Sequence, residues 1–143
     1  MTSSSSSSSG PPPPTDSPTV LAPPAPPSTS PAPWTSGVLS RGIDVPAARH
    51  AETFESLAVS PHVRIERIVS FGQASPPGFW YDQPEDEFVL LLTGAARLAF
   101  EDGQTVEIEP HGWVNVPARV RHRVEWTKPD EPTVWLAIFS PAG

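Results

Sequence analysis

The chain has 143 residues, a formal net charge of −7 and no cysteine. This length allows one modest domain and a tail, and the absence of cysteine excludes disulfides and thiolate metal ligands. The acidic charge argues against a nucleic-acid partner, because phosphate binding depends on clustered lysine and arginine. No stretch is apolar enough to span a membrane, and the first residues lack the basic and apolar parts of a secretory signal. We therefore expect an intracellular, cytoplasmic protein with no membrane partner.

Residues 1–40 are predicted to form a disordered tail. Proline and serine dominate this stretch, which includes a run of serines over 3–9. Such a composition cannot bury enough apolar surface to offset the entropy of ordering the chain. An organelle transit peptide stays open as an alternative because acidic residues are scarce, although no arginine precedes Arg41.

Residues 41–61 are predicted to be a lead-in segment with a short helix or an edge strand. Asp44 is suited to cap a helix, and Pro46 is suited to its first turn. Phe54 and Ala58 continue a weak helical spacing.

Residues 62–140 are predicted to form an all-β domain. Short apolar or alternating stretches are separated by turns of glycine, proline and acidic residues. The predicted strands cover residues 63–71, 87–92, 95–100, 104–109, 113–116, 121–126 and 133–139. The alternation breaks at Ile68 and Val69, which predicts a β-bulge there. The stretch 87–92 is continuously apolar and is expected to be covered on both faces. This pattern predicts a small antiparallel barrel or double-sheet sandwich.

Side chains two residues apart share a face of a strand, which selects candidate site residues. His122 shares its face with the apolar Val124 and Trp126, so all three should point inward. The same spacing groups Tyr81 with Gln83, just before a kink at Pro84. The neighbouring arginines at 119, 121 and 123 are expected to face outward or to line the rim.

Several of these residues resemble the two sequence motifs of the cupin superfamily. The matching positions are a glycine, a glutamate and a glycine of the first motif and a proline and a histidine of the second: Gly78, Glu87, Gly94, Pro117 and His122. Over residues 62–140 the chain is similar to small single-domain cupins of the Cupin_2 type. The resemblance implies a double-stranded β-helix, or jelly roll, of the RmlC-like kind.

The chain departs from the cupin motifs at several positions. The first histidine pair is replaced by Tyr81 and Gln83, or by Trp80 and Asp82 if the longer spacing of the family applies. In the second motif, two glycines and an asparagine are replaced by His111, Arg119 and Trp126. The metal-binding motif is therefore degenerate.

The resemblance implies that His122, Glu87 and the residues of the first pair meet at the mouth of the barrel. Metal-binding cupins hold Fe, Mn, Ni, Zn or Cu with imidazoles and a carboxylate. The candidate ligands here are Gln83, Glu87 and His122, for Fe, Mn, Ni or Zn. An amide is a weak neutral ligand, so such a site would be weaker than one with three histidines.

The preferred interpretation is a small-molecule binding barrel of undetermined activity. Its pocket surrounds Tyr81, Gln83, Glu87 and His122, and Trp80 is a candidate stacking platform for the ligand. Acidic residues beside the pocket favour a neutral or cationic ligand.

Enzymatic alternatives to this interpretation stay open, and so does a homodimer. The chain could be a metal-dependent dioxygenase or isomerase, or a metal-free epimerase-like enzyme with His122 as base and Tyr81 as acid. Because cupins commonly pair through sheet faces, the apolar stretch 133–139 is also consistent with a homodimer.

Overall fold

The computed structural model describes residues 32–143 of the chain, so residues 1–31 of the predicted tail over 1–40 lie outside the described residues. The described part contains one short helix and eight strands. They are α1 (Val45–His50), β1 (Thr53–Val59), β2 (Arg64–Ser70), β3 (Glu85–Thr93), β4 (Ala96–Phe100), β5 (Thr105–Ile108), β6 (Trp113–Val116), β7 (His122–Thr127) and β8 (Thr133–Pro141). Within residues 32–143, no helix is long and apolar enough to cross a membrane.

The strands form two antiparallel sheets. The larger sheet has the order β1-β2-β8-β3-β6, and the smaller has the order β5-β4-β7. Neighbours can be far apart in sequence: β2 pairs along its whole length with residues 133–139 of β8. The predicted all-β antiparallel fold is confirmed. Strands β2 to β8 correspond to the stretches selected by alternation and turn residues, whereas β1 lies in the lead-in segment, for which a short helix or an edge strand is predicted.

The main core lies between the two sheets. Its buried members come from strands β3, β4, β5 and β8: Val89, Leu91, Ala96, Leu98, Ile108, Trp135, Ala137 and Phe139. They occupy alternate positions along each strand, as the period of two in a β-strand requires. Burying these side chains supplies the main driving force for closing one sheet on the other.

A second small core lies under the helix α1. Asp44 caps this helix by accepting a hydrogen bond from the Ala47 backbone N–H at 3.0 Å, which stabilises the first turn. Ala48 then packs on Val69 and Val134, on the face of the larger sheet that points away from the main core. This contact explains why apolar residues occur on both faces of β2.

The predicted bulge in β2 at Ile68 and Val69 is wrong. The strand pairs with β8 without any shift in register, and the irregularity lies instead on β1, between Ser56 and Ala58. Ile68 packs against the main core while Val69 belongs to the second core. The alternation breaks because both faces of this regular strand are covered by apolar side chains.

The prediction that Trp126 points inward with His122 is also wrong. In the pairing of β4 with β7, Leu98 faces Val124 whereas Arg97 faces Trp126, so one extra residue of β7 lies between the pairs. This bulge turns Trp126 to the outer face, where its ring centroid lies 5.8 Å from the Arg97 guanidinium. A bulge changes which residues face inward from that point onward.

Candidate functional site

A cavity of about 190 Å³ opens at one end of the barrel. Both sheets and the segment before β3 contribute to its wall, which combines apolar side chains with a few polar groups. The lining residues with polar side chains are Glu52, Glu66, Tyr81, Gln83, Glu87, His122 and Trp135. A mostly apolar cavity with a few converging polar groups is the usual form of a small-molecule site.

His122 is fixed at the wall of this cavity by its backbone and its ring. It begins β7, and its backbone N–H and C=O pair with those of Tyr81 at 3.2 and 2.7 Å. The ring nitrogen Nδ1 lies 2.9 Å from the carbonyl oxygen of Val120. The side chain is almost fully buried, with 4% of the residue exposed. The inward orientation predicted for His122 is thus what the structure shows.

Glu87 and Gln83 meet His122 in the cavity. The His122 Nε2 lies 3.3 Å from Glu87 Oε1, and the Gln83 amide donates to the same oxygen at 2.8 Å. Glu87 faces inward because it shares its side of β3 with the core residue Val89. Of the sequence-predicted site residues, Tyr81, Gln83, Glu87 and His122 therefore line one cavity.

The hydrogen bonds of His122 require a proton between it and Glu87. A carbonyl oxygen can only accept, so Nδ1 donates to Val120 and carries a hydrogen. Nε2 then faces a carboxylate, and this contact is favourable only if Nε2 or the carboxyl carries a second proton. Burial lowers the pKa of His122, but hydrogen bonds to Glu87 and to the Val120 carbonyl, with the charge of Glu87, raise it overall above the ordinary value of 6.5. The pair is thus arranged to hold a proton inside the cavity at pH values below the raised pKa of His122.

Tyr81 lies beside this pair as a stacked ring. Its ring centroid is 5.5 Å from that of His122, with an angle of 29° between the rings, and Phe79 packs against its edge at 4.8 Å. Burial, followed by the charges of Glu52 and Glu87, raises the pKa of Tyr81 above its ordinary value. Tyr81 therefore stays protonated at neutral pH and can donate a hydrogen bond to a bound molecule.

The acidic residues between 82 and 86 have individual partners in the structure. Asp82 pairs with Arg119 at 3.3 Å on the exposed rim, and Glu85 forms a two-point ion pair with Arg64. Asp86 accepts a hydrogen bond from the Ala118 N–H at 2.7 Å. These contacts tie the kinked segment to β2 and to the loop before β7.

Trp80 has a different position from the other candidates. It is half-buried, and it is not among the residues that line the cavity. The aromatic walls come instead from Phe54, Trp135 and Phe139, together with Tyr81. The apolar sequence of β8 is consistent with Trp135 and Phe139 in the core, but a sequence pattern does not show that these side chains also line a cavity.

The sequence reasoning missed Glu52, which lines the cavity from the segment just before β1. Burial raises the pKa of Glu52, and a hydrogen bond from Ser70 partly offsets this effect. Glu66 was likewise not selected, although its side chain lines the cavity and pairs with Arg64 at 3.0 Å. The alternation of Ile65 with Arg64 and Glu66 is typical of any half-buried strand, so it contained no signal for a site.

At two positions where the chain departs from the cupin motifs, the backbone has a conformation that glycine favours. His111 and Arg119, which replace two glycines, have φ values of 72° and 67° and are the non-glycine residues with positive φ among residues 32–143. Glycine is favoured where φ is positive because it has no Cβ. The loops that flank β6 therefore have, at these two positions, the positive φ that glycine favours, although neither residue is glycine.

The donor atoms for a metal ion are few. Within residues 32–143, no three His, Cys, Asp or Glu side chains come together to hold an ion. The 3.3 Å between His122 Nε2 and Glu87 Oε1 does suit two ligands of one ion, since each would lie about 2.0–2.2 Å from it. Gln83 adds an amide to this pair. The set fits a weakly held divalent ion and lacks the further histidines of a tight site.

An antiparallel barrel that gathers a histidine and a glutamate from distant strands at its open end has the architecture of a cupin. A profile of the cupin domain family matches residues 69–139. A solved structure of a candidate mannose-6-phosphate isomerase from Ralstonia eutropha JMP134 is 44% identical, with a TM-score of 0.72, over 76% of this chain and 100% of that chain. The chain therefore belongs to the cupin superfamily.

More distant structures share the fold. A cupin superfamily protein from Desulfitobacterium hafniense DCB-2 is 21% identical, with a TM-score of 0.54, over 65% of this chain and 79% of that chain. An RmlC-like cupin with a double-stranded β-helix from Methanocaldococcus jannaschii is 19% identical, with a TM-score of 0.53, over 64% of this chain and 81% of that chain. A search of curated proteins found no significant match.

Proposed function

We propose that the barrel binds a small neutral or cationic molecule in the cavity beside His122 and Glu87. The observation that carries this proposal is the buried contact of 3.3 Å between these two side chains at the wall of an open cavity. Burying polar groups costs free energy unless each of them finds a hydrogen-bond partner. Glu87 Oε2 makes no hydrogen bond among the described residues, so it is free to bind a ligand.

The negative charge of the residues that line the cavity argues against an anionic ligand. Among residues 32–143, no lysine or arginine lines the cavity, whereas three glutamates do. A sugar phosphate, the substrate class named for the Ralstonia eutropha protein, would need positive groups to hold its phosphate. Arg64 lies near the mouth, but Glu66 and Glu85 already pair with it.

A screen of neutral, cationic and anionic small molecules tests this function. Thermal shift and NMR should identify neutral or cationic binders of the wild-type protein. A Val116→Phe variant, which fills the cavity from a buried lining position, should lose them. Val59→Phe places the same change on an exposed edge and should keep them. Binders that Val116→Phe leaves unchanged, or binders that are mostly anionic, would contradict the proposal.

Acid–base catalysis is a second candidate, favoured by the proton that His122 and Glu87 hold. When the shared proton has been lost, His122 Nε2, with its ring held by Val120, can accept a proton from a bound molecule while Glu87 stabilises the imidazolium that forms. Tyr81, whose raised pKa keeps its hydroxyl protonated, can donate a hydrogen bond to the same bound molecule. This is the metal-free, epimerase-like route, and it predicts that Tyr81→Phe abolishes turnover while ligand affinity changes little.

A divalent ion at Gln83, Glu87 and His122 is the other enzymatic candidate, as in a metal-dependent dioxygenase or isomerase. Such an ion would supply Lewis-acid or redox chemistry, and the three side chains would hold it. Elemental analysis of protein purified without a chelator or an affinity tag tests this. Stoichiometric Fe, Mn, Ni or Zn that is lost in His122→Ala supports it, and no metal after supplementation contradicts it.

The outer face of the larger sheet is our candidate for a homodimer contact. Leu136 and Ile138 of β8 lie beside Leu90 and Phe88 of β3, and Phe88 stacks on Trp113, which is 62% exposed. Such a continuous apolar face could pack against the same face of a second copy in a two-fold symmetric dimer. Light scattering should find a dimer for the wild type and a folded monomer for Trp113→Glu. A monomeric wild type would contradict the proposal.

A further inference from the structure

Glu52 is a cavity residue that lies outside the part of the chain matched by the cupin profile. It immediately precedes β1, whereas the match begins at residue 69. The side chain lines the main cavity and also a smaller adjoining cavity of about 90 Å³. Tyr81 and Val124 are the other residues common to both cavities. Glu52 therefore occupies the boundary between the two spaces.

The Glu52 carboxylate is held in place by a chain of hydrogen bonds. The Ser70 hydroxyl donates to Glu52 Oε2 at 2.5 Å, and the Trp135 indole N–H donates to that hydroxyl at 3.1 Å. Ser70 is fully buried and Trp135 nearly so. Because each donor is itself fixed by the core, the carboxylate has a defined position rather than that of a free surface side chain.

The three glutamates of the cavity differ in how their charge is balanced. Glu66 pairs with Arg64 at 3.0 Å, and Glu87 pairs with His122 at 3.3 Å. Glu52 has no cationic partner among residues 32–143; its side-chain contact is with the neutral Ser70. A half-buried carboxylate without a countercharge is unfavourable, so a positive group that enters the cavity would gain most beside Glu52.

The surroundings of Glu52 also suit a positive group. Aromatic side chains from two strands, β1 and β8, and from the segment before β3 line the same cavity: Phe54, Tyr81, Trp135 and Phe139. The faces of aromatic rings attract ammonium groups, most strongly where water is excluded. A carboxylate among aromatic rings is a combination that recognises an organic cation.

We propose that the ligand of this cavity is a small organic molecule with one ammonium group, and that Glu52 is the residue that selects it by serving as its countercharge. This inference rests on the proposed small-molecule function and specifies its ligand class. It places the ammonium group between Glu52 and the aromatic walls, and it leaves the pair of Glu87 and His122 free to contact the rest of the molecule.

Two pairs of probes differ only in charge and test this inference. Choline and 3,3-dimethyl-1-butanol have the same shape, with nitrogen replaced by carbon, and ethanolamine and 1-propanol form a smaller pair. Isothermal titration calorimetry on the full chain should show that at least one cation binds about tenfold or more tightly than its neutral partner. Glu52→Gln should abolish that preference, and Glu52→Asp, which keeps the charge, should restore part of it. Glu109→Gln, at an exposed glutamate outside the cavity, should change nothing.

Three results would overturn the inference. They are equal affinity for the charged and neutral probes, a preference that survives in a folded Glu52→Gln, and no binding of either cation. The small-molecule function is judged separately with Val116→Phe. Neutral molecules that bind the wild type and are lost in Val116→Phe would leave that function standing while ruling out the ammonium ligand.

Discussion

The two ends of the barrel are built from the same strands but contain different residues. At the closed end, Leu91 and Ala96 are completely buried, and Gly94 makes the turn from β3 to β4 against Thr133. At the open end, four residues earlier on the same face of β3, Glu87 points into the cavity beside His122. The comparison shows that one alternating strand can supply dense packing at one end and a polar site at the other.

This division has a physical reason. The closed end stabilises the fold by burying apolar surface at high density, so it can support the cost of an incompletely filled and polar open end. We therefore expect substitutions at the closed end to change the free energy of unfolding, and substitutions at the open end to change proton binding and ligand binding instead.

Gly94→Ala should have the largest effect on stability. Gly94 has a φ of +84°, and an added Cβ would lie 2.6 Å from the Thr133 Cα, a backbone atom that cannot rotate away. Strain and overlap together should cost about 4 kcal/mol or more in urea unfolding. Gly103→Ala is the control, because its φ is also positive at +93° but nothing lies within 4 Å of its Cβ; it should cost about 1 kcal/mol. Equal losses in both variants would contradict the proposed close approach.

Leu91→Ala should destabilise the closed end by about 2–5 kcal/mol because it leaves a cavity in the main core. The neighbouring Leu90 points to the outer face and is half-buried, so Leu90→Ala should cost clearly less. Urea unfolding of the two variants provides the comparison. A larger loss for Leu90→Ala would mean that the outer face, rather than the space between the sheets, is the main core.

His122→Gln should have a smaller effect, and one that depends on pH. The folded-state pKa of His122 lies above its ordinary value of 6.5, so folding binds a proton more tightly. The stabilisation is complete below about pH 6.5 and is lost as the pH rises through the folded-state pKa. Unfolding measurements from pH 6 to 9 should show that the stability difference between wild type and His122→Gln shrinks with rising pH.

The exposed His62 provides the control for this experiment. His62 forms no ion pair with a carboxylate among residues 32–143, so His62→Gln controls for the loss of an imidazole as such. A difference between wild type and His122→Gln that is constant, or that grows as the pH rises, would show that His122 does not share a proton with Glu87.

The strands and the inward direction of His122 could be predicted from the sequence because both depend on local alternation. The position of Trp126 could not, because a single bulged residue in β7 reverses the faces that follow it. The broken alternation of Ile68 and Val69 has two physical causes, a bulge or a second covered face, and only the packing of α1 decides between them.

The candidate site could be predicted in part from the motif positions rather than from strand alternation. Tyr81, Gln83, Glu87 and His122 occupy motif positions, and they do line one cavity. Glu52 lies in the lead-in segment, where a lone glutamate has no pattern that separates it from a solvent-exposed one. Its role depends on Ser70 and Trp135, which are distant in sequence.

The most direct test of the central claim is an NMR titration of His122 in protein labelled with ¹⁵N-histidine, compared with Glu87→Gln. We predict that Nδ1 stays protonated throughout, that Nε2 loses its proton with a pKa above 6.5, and that this pKa falls in Glu87→Gln. A His122 that titrates at or below 6.5, or whose titration is unchanged in a folded Glu87→Gln, would contradict the claim that the two side chains hold a proton in the cavity.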